Sequence, residues 1–320
     1  MMRTMERVSY VITVYNKETA LPFVLAGLKA QEGDFEREYI FVDDESRDAS
    51  VEVVRRLTRD WDNVTIIEQK NAGPSAAMNV GFRLATGDWI KPMDSDDVLL
   101  PWATRRLMQA CVETGFDVAL APNCGLYRFD EDVADFLSAR RSEPRPVESC
   151  PDMLRRSLQY TQGNPSSWLA RAERVRRSGG CDERVFVQDY SIVLRMAAFG
   201  GFARLAEPLF LGPEVMPDRM SADQAQVLHD LNRTLAHFLG EWPDVPRDLA
   251  RLGFVRAAAR AWAWARRRGG KSVASREFWL LCGARLGFLP PSPKNLGATC
   301  APFAATNTIR IPTGHAVMQR

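Results

Sequence analysis

Apolar residues along the first 125 positions fall into two alternating patterns. Short, nearly unbroken apolar runs read as buried strands: VSYVITVY (8–15), EYIFV (38–42), VTIIE (64–68), DWIKPM (88–93) and DVALA (117–121). Between them, ETALPFVLAGLKAQ (18–31), DASVEVVRRLTRDW (48–61), PSAAMNVGFRLA (74–85) and PWATRRLMQACVETG (101–115) repeat at helical spacing. Asp48 or Ser50 caps the second of these helices, and Pro74 opens the third in the first turn, where its missing N–H costs nothing. Strand–helix alternation at this spacing predicts an α/β fold: a doubly wound, mostly parallel sheet with helices on both faces.

The alternation stops near residue 128. DEDVADFLSARRSEPRPVESCP is charged and proline-bearing, so 128–150 is expected to be a mobile loop. Helical spacing returns in DMLRRSLQ (152–159) and AERVRRSGG (172–180), on either side of an irregular TQGNPSSWLA (161–170). QDYSIVLRMAAFG (188–200) reads as a helix with an aspartate near its start. Helices are also expected over 222–240, 247–268 and 275–288, and a loose tail after Pro290.

Composition adds few exclusions. The chain has 320 residues, 46% hydrophobic and 26% charged, ample for a core. No run of 18 apolar residues suggests a spanning helix, and the start, MMRTMERVSY, lacks the apolar region of a signal peptide. Six cysteines stand singly, which reads as buried thiols rather than a zinc cluster or disulfide framework. Charge is uneven: residues 1–244 carry 29 Lys/Arg against 38 Asp/Glu, residues 245–320 carry 13 against 2. Such asymmetry points to a surface partner for the basic end.

In open α/β sheets, ligands bind beyond the carboxyl ends of the strands. The first strand there ends in Thr13, Val14, Tyr15 and Asn16, and the second in Asp43, Asp44, Glu45 and Ser46. The third is followed by QKNAGPSAAMN, and the fourth by Asp94, Ser95, Asp96 and Asp97. Each piece alone is common: a capping aspartate, a turn, a chance D-x-D. All four at matching strand ends are specific. Gly-rich phosphate loops and a G-x-S-x-G elbow are missing, which argues against P-loop ATPases, dinucleotide dehydrogenases and serine hydrolases.

VITVYNKE (11–18), FVDDESRDAS (41–50), NAGPSAAMNVGFRLATGDWI (71–90), MDSDD (93–97) and GGCDERVFVQDYSIVLRMAAFG (179–200) together resemble the family-2 glycosyltransferases, over roughly residues 6–215. The resemblance implies a GT-A fold, with a catalytic domain over 1–240. Its nucleotide-binding half is about 6–125 and its acceptor half about 126–240, and 241–320 form a basic, aromatic-rich helical extension with a loose tail. It implies an inverting enzyme that moves a sugar from a UDP-, GDP- or dTDP-linked donor to an acceptor hydroxyl. The setting is surface glycan or polysaccharide synthesis, on a glycan or lipid-linked acceptor, in the cytoplasm or at the inner face of the membrane.

By the same resemblance, Asp96 and Asp94 are the metal ligands for Mn²⁺ or Mg²⁺, with Asp94 also able to meet the ribose; hard cations of this kind favour carboxylate and phosphate oxygens. Thr13, Val14 and Tyr15 wall the base, and Asp44 accepts its N–H, while Asp43 either shares that task or holds the loop. Lys70, Asn71 and Ser95 complete the nucleotide-sugar set, although Lys70 reads equally as a solvated loop lysine. Asn79 reads as structural, Glu18 as a helix-start acid, and Asp97 as a possible cap for the helix near Pro101. Asp189 is the catalytic base, with Asp182 as its rival and more fitting as a turn residue. His229, His237 and His315 lack metal-pair spacing, and His229 reads as a surface histidine. A sugar nucleotidyltransferase would need a Gly-rich signature where TVYNKE stands, and a non-catalytic scaffold would be expected to lack the carboxylates. Residues 247–288 combine arginines with tryptophans. They predict either peripheral membrane contact or packing on the rest of the chain, and no nucleic-acid binding.

Overall fold

The computed structural model describes residues 5–130, 137, 145–214, 223–305 and 309–312. The expected loop over 128–150 lies largely outside them, as do His315 and the end of the tail. The five expected strands form: β1 (Arg7–Val14), β2 (Glu36–Asp43), β3 (Val64–Glu68), β4 (Trp89–Asp94) and β6 (Val118–Leu120). So do the four helices between them: α1 (Leu21–Lys29), α2 (Ser50–Leu57), α3 (Pro74–Leu84) and α4 (Ala103–Thr114). Asp48 Oδ1 accepts the Ser50 N–H at 3.0 Å from just before the α2 N-cap, which is Ala49 and has no side-chain cap, so neither Asp48 nor Ser50 is the capping residue.

The sheet has eight strands in the order β3-β2-β1-β4-β9-β6-β10-β8. Strands β1 to β4 are mutually parallel, and β10 (Phe202–Arg204) runs parallel to β6. The departure from expectation is β9 (Trp168–Arg171), antiparallel to both β4 and β6. It arises from TQGNPSSWLA, whose three-residue apolar core is too short to declare itself a strand; fully buried Trp168, Leu169 and Ala170 hold it in the sheet centre. A short β8 (Glu148–Cys150) closes the edge antiparallel to β10. A second sheet, β5 (Val98–Leu99), β11 (Phe210–Pro213) and β7 (Cys124–Tyr127), had no counterpart in the sequence pattern.

Two cores sandwich the sheet. On one face Val8, Tyr10 and Ile12 pack with Val24, Leu28 and Leu107. On the other, Val11 and Ile40 pack with Met78 and Phe82 of α3, beside Val175 of α6 (Ala172–Ser178) and Ile192 of α7 (Gln188–Ala197). Alternate residues of β1 thus serve opposite faces, as a strand covered on both sides requires.

A third core joins α5 (Met153–Gln159) and α7 to α8 (Gln224–Glu241) and α9 (Arg247–Gly269) through Leu158, Leu194, Leu235, Phe238 and Leu249. Packing is therefore continuous across residues 240–241. The chain beyond Pro290 is not loose throughout. Ser292 accepts the Asn295 N–H and Pro293 opens α11 (Pro293–Ala298); α12 (Ala301–Ala304) follows, with Leu296 and Phe303 fully buried. An aperiodic stretch of six and four helical residues carries too little spacing to be read from sequence. Among the described residues, no helix is long and apolar enough to cross a membrane.

Helix α3 lies unusually close to β1. A Cβ at Gly81 would meet Val11 Cγ1 at 2.2 Å, inside the core. Gly81→Val should lower the urea unfolding midpoint, by an overpacking cost of about 1–3 kcal/mol; an unchanged midpoint would show that α3 can shift without penalty.

Candidate active site

Parallel register sets the first half of the site. Val14 pairs with Asp43 across β1 and β2, and Thr13 pairs with Asp94 across β1 and β4. The strand ends that the sequence singled out are therefore neighbours. Tyr15 follows on β1 with 44% of its surface exposed, available as a flat wall, and Thr13 is half-buried and Val14 buried.

The expected division of labour between Asp43 and Asp44 is reversed in the hydrogen bonding. Asp44 holds the loop: Oδ1 accepts from Gln69 Nε2 at 2.8 Å and the Ala72 N–H at 2.9 Å, and Oδ2 from the Gly73 N–H at 2.9 Å. Asn71 Nδ2 closes the same turn onto the Asp44 carbonyl at 2.9 Å. Asp43 Oδ2 accepts the Ser46 N–H at 3.0 Å, whereas its Oδ1 is buried without a hydrogen-bond partner. An unsatisfied buried carboxylate oxygen costs about 1–3 kcal/mol or more, so it marks a place for a donor. Two adjacent aspartates look alike in sequence; only the loop's path distinguishes them.

Neighbouring residues shape rather than line the site. Glu18 is exposed and accepts the Ala49 N–H at 2.9 Å, so it serves the start of α2 rather than its own helix. Lys70 is exposed on the loop. Asn79 holds the turn before α7: Nδ2 donates to the Cys181 carbonyl at 3.0 Å and to Glu183 Oε1 at 2.8 Å, while Oδ1 accepts the Cys181 N–H at 2.8 Å. Gly180 has φ 73°, and a Cβ there would lie 2.4 Å from Asn79 Oδ1, which explains the second glycine of the turn.

The acid cluster forms the other half. Asp94 is half-buried; Ser95, Asp96 and Asp97 are buried. Asp97 does not cap α4, which has no side-chain cap; its Oδ2 accepts from Asn164 Nδ2 at 2.6 Å. Burial, reinforced by the charges of Asp97, Asp96 and Asp189, holds the Asp94 carboxyl well above the usual carboxylate range, with Lys17 opposing. Asp189, in the first turn of α7, is thereby within electrostatic reach of the cluster. Burial pushes its own pKa up to about 6, against hydrogen bonds from its own and the following backbone N–H.

Five residues that the sequence did not single out support this arrangement. Lys17 Nζ pairs with Asp96 Oδ2 at 2.8 Å. Lys91 is fully buried in β4 and donates to the Pro92 and Ser166 carbonyls at 2.9 and 2.7 Å; burial lowers its pKa to about 7 against Asp97 and Asp94. Ser166 Oγ accepts the Asp94 N–H at 3.1 Å, so Asn164 and Ser166, both just before β9, grip the acid loop from one side. A lysine inside the apolar run of β4 was the one available signal. Asp230 of α8 accepts the Phe186 and Val187 N–H groups at 2.9 and 3.3 Å and so holds the chain entering α7 from another helix. His229 is not a surface histidine: it is largely buried and Nδ1 lies 2.9 Å from Asp230 Oδ1.

Asp182 fixes the turn and is engaged away from catalysis. Arg184 donates to both its oxygens, and His237 Nδ1 lies 2.7 Å from Oδ2. Against the upward push of burial, these two partners hold its pKa well below the usual range.

The donors presented by Asp94 and Asp96 are carboxylate oxygens, the chemistry that suits Mg²⁺ or Mn²⁺. The raised Asp94 pKa and the Lys17 partner on Asp96 both register a field short of positive charge. Among the described residues, no three His, Cys, Asp or Glu side chains converge into a cage, so a cation here would need oxygens from a ligand. The residues fit such an ion.

The chain has the GT-A fold. Residues 9–143 match the family model described as glycosyl transferase family 2. The chain is 28% identical over 169 residues to the uncharacterised glycosyltransferase YibD of Escherichia coli, covering 53% of this chain and 49% of YibD. It is 32% identical over 123 residues to the poly(ribitol-phosphate) beta-glucosyltransferase of Bacillus spizizenii, covering 38% of this chain and 19% of the relative. The chain thus spans half or less of the length of these curated relatives. Among solved structures, Staphylococcus aureus TarS 1–349 in complex with UDP superposes with a TM-score of 0.61 at 16% identity, over 95% of this chain and 93% of TarS. The mannosyltransferase PcManGT of Pyrobaculum calidifontis, in complex with GDP-Man and Mn²⁺, superposes with a TM-score of 0.56 at 19% identity, over 94% and 86%. These two show the shared fold.

The loop assignment has a direct consequence. Asp44→Ala leaves the Ala72 and Gly73 N–H groups without their acceptor and should destabilise the fold by about 1–3 kcal/mol, read as a lower thermal midpoint; a midpoint equal to wild type would remove Asp44 from its loop-holding role.

Proposed function

We propose that the protein is an inverting glycosyltransferase that moves a sugar from a nucleotide-diphosphate donor to an acceptor hydroxyl in surface glycan synthesis. The observation that carries this reading is the placing of Asp189 in the first turn of α7, where its charge is felt by Asp94 of the strand-end acid loop. The family match, and the glucosyltransferase named among the relatives, support the class of reaction and its setting. UDP and GDP-Man in the two structural neighbours support a nucleotide-sugar donor, and Mn²⁺ in one supports a divalent ion.

In this reading the catalytic domain spans 1–240, with nucleotide bound by 6–125 and acceptor by 126–240. The base lies against Tyr15 beside Thr13 and Val14, and its N–H is accepted by Asp43 Oδ1, the oxygen that lacks a partner. Asp44 and Asn71 shape the wall, and Lys70 and Ser95 stand beside the diphosphate path. Asp94 and Asp96 hold the Mn²⁺ or Mg²⁺ ion, which when bound offsets the charge of the departing diphosphate.

Asp189 accepts the proton of the acceptor hydroxyl as its oxygen attacks the anomeric carbon and the bond to the diphosphate oxygen breaks. Inversion follows from attack opposite the leaving group. A carboxylate with a pKa near 6 is a stronger base than an ordinary aspartate and still ionised at neutral pH. A nucleotide-sugar donor and the glycan or lipid-linked acceptor would meet in the cytoplasm, at the inner face of the membrane.

Screening UDP-, GDP- and dTDP-sugars with Mn²⁺ by thermal shift and turnover tests the whole reading; no stabilisation and no transfer with any donor would sink it. Asp43→Asn should keep its thermal midpoint while weakening the productive nucleotide by at least ~5-fold, the value of one charged hydrogen bond of about 1 kcal/mol or more, measured by calorimetry. Unchanged affinity would reassign the base acceptor. Asp189→Asn should bind donor as wild type yet turn over ~10²–10⁴-fold more slowly. Wild-type turnover should also fall as pH drops below about 6, where Asp189 protonates, and the variant should lose that dependence. Near-normal turnover, or a product retaining the donor's anomeric configuration, would overturn the base and the inverting mechanism.

A further inference from the structure

The basic end of the chain divides into two sets of side chains. Most of the residues that could have faced a membrane are used internally. Arg260 Nε donates to Asn232 Oδ1 at 2.8 Å, and Arg256 Nε donates to the Gln159 carbonyl at 3.0 Å. Trp264 packs on Phe303 with ring centres 5.7 Å apart, and Trp262 meets Phe278 edge-on at 5.3 Å. Of the two alternatives for residues 247–288, these contacts are the packing one, and they apply to α9.

The second set points outward from α10 (Arg276–Leu286) and its ends. Leu280, Leu281 and Ala284 bury one face of α10 in a core that also contains Phe254 and Ala258 of α9. Trp279 and Leu286, seven residues apart and so on one face, are 62% and 67% exposed. The end of the helix adds to that face for a structural reason. The Gly287 and Leu289 N–H groups both bond to the Gly283 carbonyl, at 3.0 and 3.1 Å, a left-handed cap with Gly287 at φ 85°. Leu289 folds back onto Gly283, where a Cβ would lie 2.6 Å from its Cδ1. Phe288, between them, is left 80% exposed.

Exposed cations stand before and along α10. Arg266, Arg267, Arg268 and Lys271 are exposed at the turn into α10, and Arg276 and Arg285 are exposed along it. From residue 249 to the end, the sequence carries twelve Lys/Arg and a single acid, Glu277. Single exposed apolar residues are ordinary; three large ones along and just beyond one short helix, in a segment this rich in cations, are not. A second copy meeting this face through its own α10 would bring like charge against like charge. An acidic protein could match the charge, but a bilayer matches both features: aromatic and aliphatic side chains enter the headgroup boundary while arginines meet anionic headgroups.

We propose that α10 and the turn before it form a docking surface for an anionic phospholipid bilayer, with Trp279, Leu286 and Phe288 inserting and Arg266, Arg267, Arg268 and Lys271 meeting the headgroups. The surface is separate from the acid cluster, so its test stands or falls independently of the transferase reading. The full-length chain is sedimented with vesicles of phosphatidylcholine and phosphatidylglycerol at 3:1, or of phosphatidylcholine alone, at low and high salt. Binding should occur only with the anionic vesicles and weaken at least about tenfold at 0.5 M salt, as screened surface charge requires.

Joint replacement Arg266→Gln, Arg267→Gln and Arg268→Gln should weaken it by about tenfold or more at low salt. Joint replacement Trp279→Ser, Leu286→Ser and Phe288→Ser should weaken it comparably, with the thermal midpoint retained because all three side chains are exposed. Equal binding to neutral vesicles, no binding at low salt, or unchanged binding by either folded variant would overturn the proposal. So would light scattering showing a dimer that the apolar replacements dissociate.

Discussion

Like charge held at close quarters is the constraint on which this protein's arrangement depends. Two carboxylates about 4 Å apart repel by about 4 kcal/mol at an effective dielectric of 20, several times the value of a helix cap. Asp94, Asp96 and Asp97 are placed within four residues, and α7 adds Asp189 to their field. The surroundings compensate in three ways. Lys17 places an ammonium on Asp96, Asn164 donates to Asp97, and the buried Lys91 supplies a second cation whose own pKa falls towards 7. The balance remains short of positive charge, and Asp94 records the shortfall in its raised pKa.

The same economy explains β9. An antiparallel strand between β4 and β6 interrupts the parallel sheet just where the acid loop emerges. Its lead-in segment carries Asn164 and Ser166, so the interruption is what brings neutral donors and carbonyls to Lys91, Asp94 and Asp97. A parallel strand in that place would need its own crossover and could not arrive from the same end.

Helix α8 connects the site to the C-terminal helices. Asp230 holds the chain entering α7, and His237 holds Asp182 in the turn before it, so the position of Asp189 depends on a helix some forty residues downstream. Helix α8 in turn shares a core with α9 and α5. Pairing of this kind commits Asp182 and Asp230 to structure, whereas Asp189, among the described residues, takes its hydrogen bonds from local backbone.

Sequence pattern by itself determined the alternating elements of the first 125 residues, because buried parallel strands and amphipathic helices impose different periods on the same apolar residues. It also determined that acids gather at strand ends, since strand boundaries and residue types are both local. Tertiary structure alone decided what depends on contacts between distant segments. Asp43 and Asp44 are adjacent and chemically identical, and the loop from β3 chooses between them by bonding to the side chain of Asp44. TQGNPSSWLA became a central strand because two neighbours offered it backbone partners, and Pro293–Ala298 became a helix because a core waited for Leu296. In the basic end, arginines and tryptophans of one composition were divided into buried and exposed by which face of α9 and α10 met the rest of the chain. Periodicity is written residue by residue; partnership exists only once the chain has closed on itself.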